Sequence, residues 1–158
     1  MVDDRVSRVD QARVDAIYIG PEDEGPMHKV PAVEAVAGRG LRGDRYFQPA
    51  DGGDPTEEVT LVALEGIEAA AAESGLDITP EDTRRNLVTF GVELDELIGK
   101  RFVVGEVELE GLEPNPPCRH LVQITGKDLL KPLIERGGIR ARIHKGGTVH
   151  EGDALREA

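Results

Sequence analysis

The sequence predicts a mainly β chain with a few short helices, an α+β domain of barrel-like form, and three observations carry that expectation. Short apolar runs of period two recur along the chain, glycine pairs and Gly-Pro or Gly-Asp steps separate them, and only two or three stretches carry helical spacing. At 158 residues one core suffices, burying about two thirds of the unfolded surface without a covalent staple. Residues 1–13 are polar and charged and read as an N-terminal tail, leaving 14–158 as a single domain.

Each element has a local reason. Val14 to Ile19 alternates Val14, Ala16 and Tyr18 against Asp15, Ile17 and Ile19, and Gly20-Pro21 ends the strand. Val30 to Val36 reads as a second strand. Gly38-Arg39-Gly40-Leu41-Arg42-Gly43-Asp44-Arg45-Tyr46 places three glycines within six residues, a tight structured loop in which Asp44 and Arg45 read as a turn pair. Its spacing does not fit a dinucleotide fingerprint, and no helix follows it. Gln48 to Glu58 has the composition of a flexible surface loop, suited to a lid.

Val59 to Val62 is a strand running into a helix from Ala63 to Ser74, with Leu64, Ile67 and Ala71 on one face and Gly75 as its stop. Thr79-Pro80-Glu81-Asp82 is a helix start, cap then proline then acids, followed by a turn that enters a strand toward Thr89. Leu94, Leu97 and Ile98 mark a helical turn closed by Gly99, and two strands, Arg101 to Val104 and Glu106 to Glu110, flank Gly105. Thr125-Gly126-Lys127-Asp128 resembles a capping box, predicting a helix to Arg136 with Leu129, Leu130, Leu133 and Ile134 as its apolar stripe. Ile139 to Ile143 reads as a strand with Arg140, Arg142 and His144 on its polar face. A last strand surrounds Thr148 and Val149, and Gly152-Asp153 closes the domain.

Composition narrows the function classes. Thirty-one Asp and Glu against 19 Lys and Arg give a net charge of −12, and aromatic content is 3%. Such a surface repels polyanions and lacks stacking platforms, which argues against nucleic acid and against anionic membranes as partners. A single cysteine excludes an internal disulfide and fits a reducing compartment. No signal-like apolar run opens the chain, and none approaches the roughly 18 apolar residues of a membrane span, so a cytoplasmic location is expected. The excess of acid over lysine also reads as adaptation to high salt.

The acids are unevenly placed. Residues 83–92, 114–127 and 136–150 contain no Asp or Glu, although segments of that combined length would carry about eight. They hold Arg84, Arg85, Arg119, Lys127, Arg136, Arg140, Arg142 and Lys145, a pattern that suggests a local anion site. Ordinary solvent-facing arginine on strands and turns is the other reading of the same windows.

The middle window contains Cys118. Prolines at 114, 116 and 117 hold the approach extended, so a helix begins only at or after the cysteine. A sulfur at a helix N-terminus beside Arg119 and His120 would be available as thiolate, a nucleophile or a soft metal ligand. A free cysteine is equally a small buried hydrophobe, and the local residues leave both readings open. His120 could relay a proton; His28, His144 and His150 show no zinc-ligand spacing.

Six motifs stand in one order: Gly-Leu-Arg-Gly-Asp-Arg at 40–45, Val-Thr-Leu-Val at 59–62, Arg-Arg-Asn-Leu-Val-Thr at 84–89, Leu-Ile-Gly-Lys-Arg-Phe at 97–102, Pro-Pro-Cys at 116–118, and Gly-Ile-Arg-Ala-Arg-Ile with Gly-Gly-Thr-Val and Gly-Asp across 138–153. In that order they resemble the MOSC domain, named for the C-terminal part of molybdenum-cofactor sulfurases, in its compact stand-alone form. The resemblance implies that Cys118 is the functional residue, as catalytic group and ligand to the metal of a molybdenum or tungsten pterin cofactor, or as a persulfide-bearing sulfur carrier.

It further implies Arg84, Arg85 and Asn86 as pterin or phosphate contacts, with Arg140 and Arg142 beside them, since arginine forks bind phosphate bidentately. Relatives that reduce N-hydroxylated small molecules suggest that activity, with electrons from a donor protein. The alternatives are delivery of sulfur, taken from a donor protein, to a metal-sulfur cofactor, and a non-catalytic interaction domain with Cys118 inert. Neither the extra N-terminal β-domain of larger relatives nor the helical C-terminal extension of some compact ones is expected here. A cofactor on one small domain then calls for cover from a homodimer or another chain.

Overall fold

The computed structural model describes residues 11–158. Of the expected tail, residues 1–10 lie outside the described residues, and Arg13 already belongs to the first strand. The strands are β1 (Arg13–Ile19), β2 (His28–Val30), β3 (Ala32–Val36), β4 (Gly40–Leu41), β5 (Val59–Ala63), β6 (Leu87–Phe90), β7 (Arg101–Val104), β8 (Val107–Pro114), β9 (Ile139–Lys145), β10 (Gly147–His150) and β11 (Leu155–Glu157). The helices are α1 (Leu64–Ser74), α2 (Pro80–Thr83) and α3 (Arg119–Thr125), with 3-10 turns at Pro55–Glu57 and Leu94–Leu97.

Eight strands form one sheet in the order β11-β7-β8-β9-β5-β6-β1-β2, and β10-β3-β4 form a second. The large sheet curls until β1 meets the segment that leads into β11. Arg13 bridges to Ala154, and the Val14 and Leu155 amides donate to the carbonyls of Asp153 and Ala12, both at 2.9 Å. That curl gives the mainly β, barrel-like form. β5 and β6 are its parallel pair, which requires a long connection, and residues 64–86 supply it with α1 and α2.

Neighbouring residues on these strands point to opposite faces, and both faces are buried. Leu61 and Leu87 join Ile17, Phe102, Leu109, Ile139 and Ile143 in the inner core. Val62 and Val88 pack with Ala16 against Ile67, Ala70, Leu121, Leu129 and Leu133 in an outer one. This explains why the simple alternation expected of β1 fails. The register against β6 shifts between Val14 and Ala16, and such an irregularity re-aims side chains, so Val14 and Ile17 both reach the inner core while Ala16 serves the outer.

Other expectations are corrected. The strand expected at 30–36 is divided at Pro31, which has no N–H to continue a ladder, so β2 pairs with β1 while β3 joins the second sheet. The loop at 48–58 is anchored at its far end. Asp54 caps the 3-10 turn by accepting from the Thr56 amide at 2.9 Å, and Glu58, only 3% exposed, accepts from the Ile143 amide at 2.8 Å. β11 adds a strand on β7 beyond the expected closure at Gly152-Asp153.

The helix expected from Thr125 to Arg136 does not form. Gly126, at φ 70, instead ends α3, and the Thr125 hydroxyl donates back to the Leu121 carbonyl rather than capping a new helix. Turns follow, with Leu129 and Leu133 buried and Ile134 at 65% exposure. The stripe was a set of core anchors on a turning chain.

Candidate functional site

The site lies where several strand ends and loops converge. Thr60 comes from β5, Asn86 stands just before β6, β8 ends at Pro114 and feeds Cys118, and Arg140 comes from β9. Together with Arg84, Arg85, His120 and the loops carrying Asp23, Glu24 and Asp44 to Tyr46 they surround a cavity of about 750 Å³. β8 reaches this place because it runs past the expected Glu110 to Pro114, pairing that residue with Ile139.

Asn86 is the frame of the cavity. Its Oδ1 accepts from the Thr60 amide and hydroxyl, both at 3.1 Å, its own amide donates to the Thr60 hydroxyl at 2.9 Å, and its Nδ2 donates to the Tyr18 carbonyl at 3.1 Å. A buried amide so engaged ties β1 to β5. Asp44 does similar work on the other wall. It accepts from the Gly20 amide at 2.8 Å, while Arg45 donates to the Gly20 carbonyl at 3.2 Å, so the turn pair expected from sequence also joins the loop after β1 to the glycine loop.

The adjacent arginines differ. Arg85 gives every bond to backbone oxygen: Nε to Gly137 at 2.9 Å, Nη1 to Thr83 at 3.3 Å, and Nη2 to Asn115 at 2.8 Å and Pro116 at 3.3 Å. Burial, with the charge of Arg140 nearby, lowers its pKa to about 10. Arg84 sits in the left-handed region at φ 57, donates one bond to the Gly25 carbonyl at 2.7 Å, and keeps Nη2 buried without a partner. Its pKa too is lowered, by desolvation first and then by the neighbouring Arg45. Among the described residues neither Arg84 nor Arg85 is paired with a carboxylate.

Cys118 is exposed and forms the N-cap of α3, with φ −133 and ψ 169, as the proline run required. The reading of it as buried core filler is therefore set aside. His120 lies on the same wall, its Nε2 4.0 Å from the Glu24 carboxylate. Arg140 lines the cavity and donates to the Thr56 carbonyl at 3.2 Å, whereas Arg142, two residues along β9, does not line it. Lys127 and Arg136, from the same acid-free windows, pair with Asp82 and Glu73, both at 2.7 Å.

Of the residues singled out from sequence, the structure places Cys118, Arg84, Arg85, Asn86 and Arg140 around one cavity and Arg142 outside its lining. Sequence reasoning missed Thr60, Tyr46 and Asn115 as lining residues. Tyr46, 45% exposed with the Arg45 guanidinium 4.6 Å from its ring centre, had one available signal: an aromatic pair, Tyr46-Phe47, beside a glycine-rich turn in a chain poor in aromatics. Thr60 and Asn115 carried none, since their places follow from long-range pairing.

Among the described residues no three or more His, Cys, Asp or Glu side chains gather to hold a metal ion by themselves. No described helix is long and apolar enough to cross a membrane.

The fold is shared by solved structures. It superposes on the YuaD protein from Bacillus subtilis with a TM-score of 0.77 at 18% identity, over 92% of this chain and 94% of that one. YiiM from Geobacillus stearothermophilus gives 0.70 at 18% identity, over 93% and 75%, and YiiM from Escherichia coli gives 0.67 at 20%, over 92% and 69%. No curated protein sequence matches the chain. Residues 48–156 match the sequence model of the MOSC domain, and the chain belongs to that family.

Proposed function

We propose that this cavity binds a molybdenum or tungsten pterin cofactor, with Cys118 as the protein's ligand to the metal, and that the chain reduces N-hydroxylated compounds with electrons from a donor protein. The observation that carries the reading is the Arg84 guanidinium. In a chain of net charge −12 it keeps a buried nitrogen without a partner, beside Arg45, on the wall of the cavity that also holds the exposed thiol. Arg45 has the Asp23 and Asp44 carboxylates at 3.7 Å, which leaves Arg84 as the cation open to an anionic ligand, and a pterin phosphate supplies one.

The donor set fits such a group. One cysteine and no cluster of other ligands cannot cage a bare ion among the described residues, but its sulfur suffices for a soft metal that arrives already held by sulfur. Cys118 would ligate the metal, while Arg84 and Arg140 would face its anionic groups. When bound, the cofactor would supply two-electron reduction. The chain's own residues would orient it, Asn86 and Asp44 holding the walls, and His120 stands on the thiol's side as a proton donor to substrate.

A second reading rests on the exposure of Cys118. An accessible thiol beside cations also suits a persulfide carried to a metal-sulfur cofactor. Metal and pterin analysis of protein made in a host that synthesises the cofactor separates the two. The first reading expects about one metal per chain in the wild type, lost in Cys118→Ala with the fold retained. Absence of metal and pterin from the wild type, with a persulfide mass on Cys118, would replace it with the carrier.

A further inference from the structure

We propose that Arg85 is a positioning residue, holding the Asn115–Pro116 backbone in place and thereby fixing the Cys118 sulfur in the cavity. The inference rests on the reading above that Cys118 is the functional thiol, and it reassigns Arg85 from ligand contact to support. All four hydrogen bonds of the side chain end on backbone carbonyls, two of them at Asn115 and Pro116, the third and second residues before the cysteine. A third bond reaches Gly137 and a fourth Thr83, so one planar fork joins three segments distant in sequence. Only guanidinium offers donors in that many fixed directions.

The opposing surface is shaped to match. Gly137 packs so closely on this segment that a Cβ there would collide with the Asn115 carbonyl, and the Asn115 amide donates to the Gly138 carbonyl at 2.8 Å. The prolines at 116 and 117 contribute no N–H of their own, so the approach to the cysteine has few other backbone bonds to hold it. Burial without a counterion is the cost of this arrangement.

The test uses the full chain, in which the single cysteine takes a nitroxide label at one position only. Hydrogen exchange and the label's spectrum are compared for wild type, Arg85→Gln, Arg85→Lys and Gly137→Ala. The last variant displaces the Asn115 carbonyl without touching the charge. Each lost hydrogen bond shifts a local opening equilibrium about fivefold. The Asn115 amide, and the Leu121 amide that donates to the Cys118 carbonyl at 3.1 Å, should exchange about fivefold faster or more in all three variants. The nitroxide spectrum should narrow, while Leu61 and Val88 in the core strands keep their protection.

Lysine, with one ammonium, should not restore the wild-type pattern. Full recovery by Arg85→Lys would assign the residue's role to charge and overturn the proposal. Unchanged exchange and spectra in the folded variants would overturn it too, as would acceleration spread equally over β5 and β6. Failure of all three variants to fold would make Arg85 a brace of the whole fold instead. None of these readouts needs a bound cofactor, so a chain that carries no metal would count against the function proposed above and leave this inference standing.

Discussion

Arginines on the outer strands and arginines around the cavity live under different rules. On the surface, Arg42 meets Glu34 at 2.7 Å, Arg101 meets Glu108 at 3.0 Å, and Arg136 meets Glu73 at 2.7 Å. At the cavity, Arg84 and Arg85 have backbone oxygen for partners and, among the described residues, no carboxylate. The difference teaches what the acid-free windows are for. These three surface arginines each meet a carboxylate. Where the strand ends converge, Asp23, Glu24 and Asp44 line the cavity, yet among the described residues none of them pairs with Arg84 or Arg85, and desolvation is tolerated to leave those two charges in place.

The sharpest way to break that comparison is Arg84→Ala. Loss of charge-assisted bonds to a phosphate should lower pterin retention about 10- to 100-fold. Stability should hold, because alanine at φ 57 carries the same backbone cost as arginine and removing the charge relieves Arg45. A large drop in melting temperature with unchanged pterin content would make Arg84 a tether for Gly25 and erase the distinction. Arg136→Ala is the matched surface case, expected to shift the melting temperature little and to leave pterin untouched.

Two carboxylates sharpen the contrast by titrating in opposite senses. Burial would raise the Asp82 carboxyl, but bonds from Lys127 and from Thr79 hold it below the usual range. Its contribution is present above the unfolded value and is lost as pH falls through the lower folded one. Asp82→Asn should therefore lower stability at pH 7 and matter far less once acid has protonated the carboxyl, read by denaturant melts at neutral and acid pH. Glu58 runs the other way. Burial lifts its carboxyl above the usual range despite the Ile143 amide and the charge of Arg142. The folded chain then binds the extra proton, so stability falls as pH rises from the unfolded value through the raised one. Glu58→Gln keeps an acceptor for Ile143 and should gain under about 1 kcal/mol at pH 7. A loss there would mean that the ionised carboxylate is held by Arg142.

Much of this was legible in advance for a physical reason. Proline, glycine and capping residues act locally, so the start of α3 at Cys118, the end of α1 at Gly75, and the helix start at Thr79-Pro80 could be read directly. The acid-free windows exposed Arg84, Arg85 and Arg140, because charge exclusion leaves a compositional trace. What hid was decided by distant partners. Leucine spacing after Thr125 looked helical, yet Gly126 and the pull of two core sites turned the chain. Arg85 looked like a ligand contact because sequence cannot say that the Asn115, Pro116 and Gly137 carbonyls will gather round it.

The smallest expected effect separates screening from binding. At net charge −12 any salt relieves repulsion, so molar KCl should raise the melting temperature; no rise would remove the idea of salt adaptation. Phosphate at matched ionic strength screens equally, and any stabilisation beyond KCl measures a site. At a phosphate concentration equal to its Kd that excess is about 0.4 kcal/mol. It should vanish in Arg84→Ala and persist in Arg136→Ala, since Glu73 already occupies the second arginine. An excess that survives both variants would place the phosphate away from the cavity, and Arg84, whose Nη2 lacks a partner among the described residues, would lose its claim as the anion's receptor.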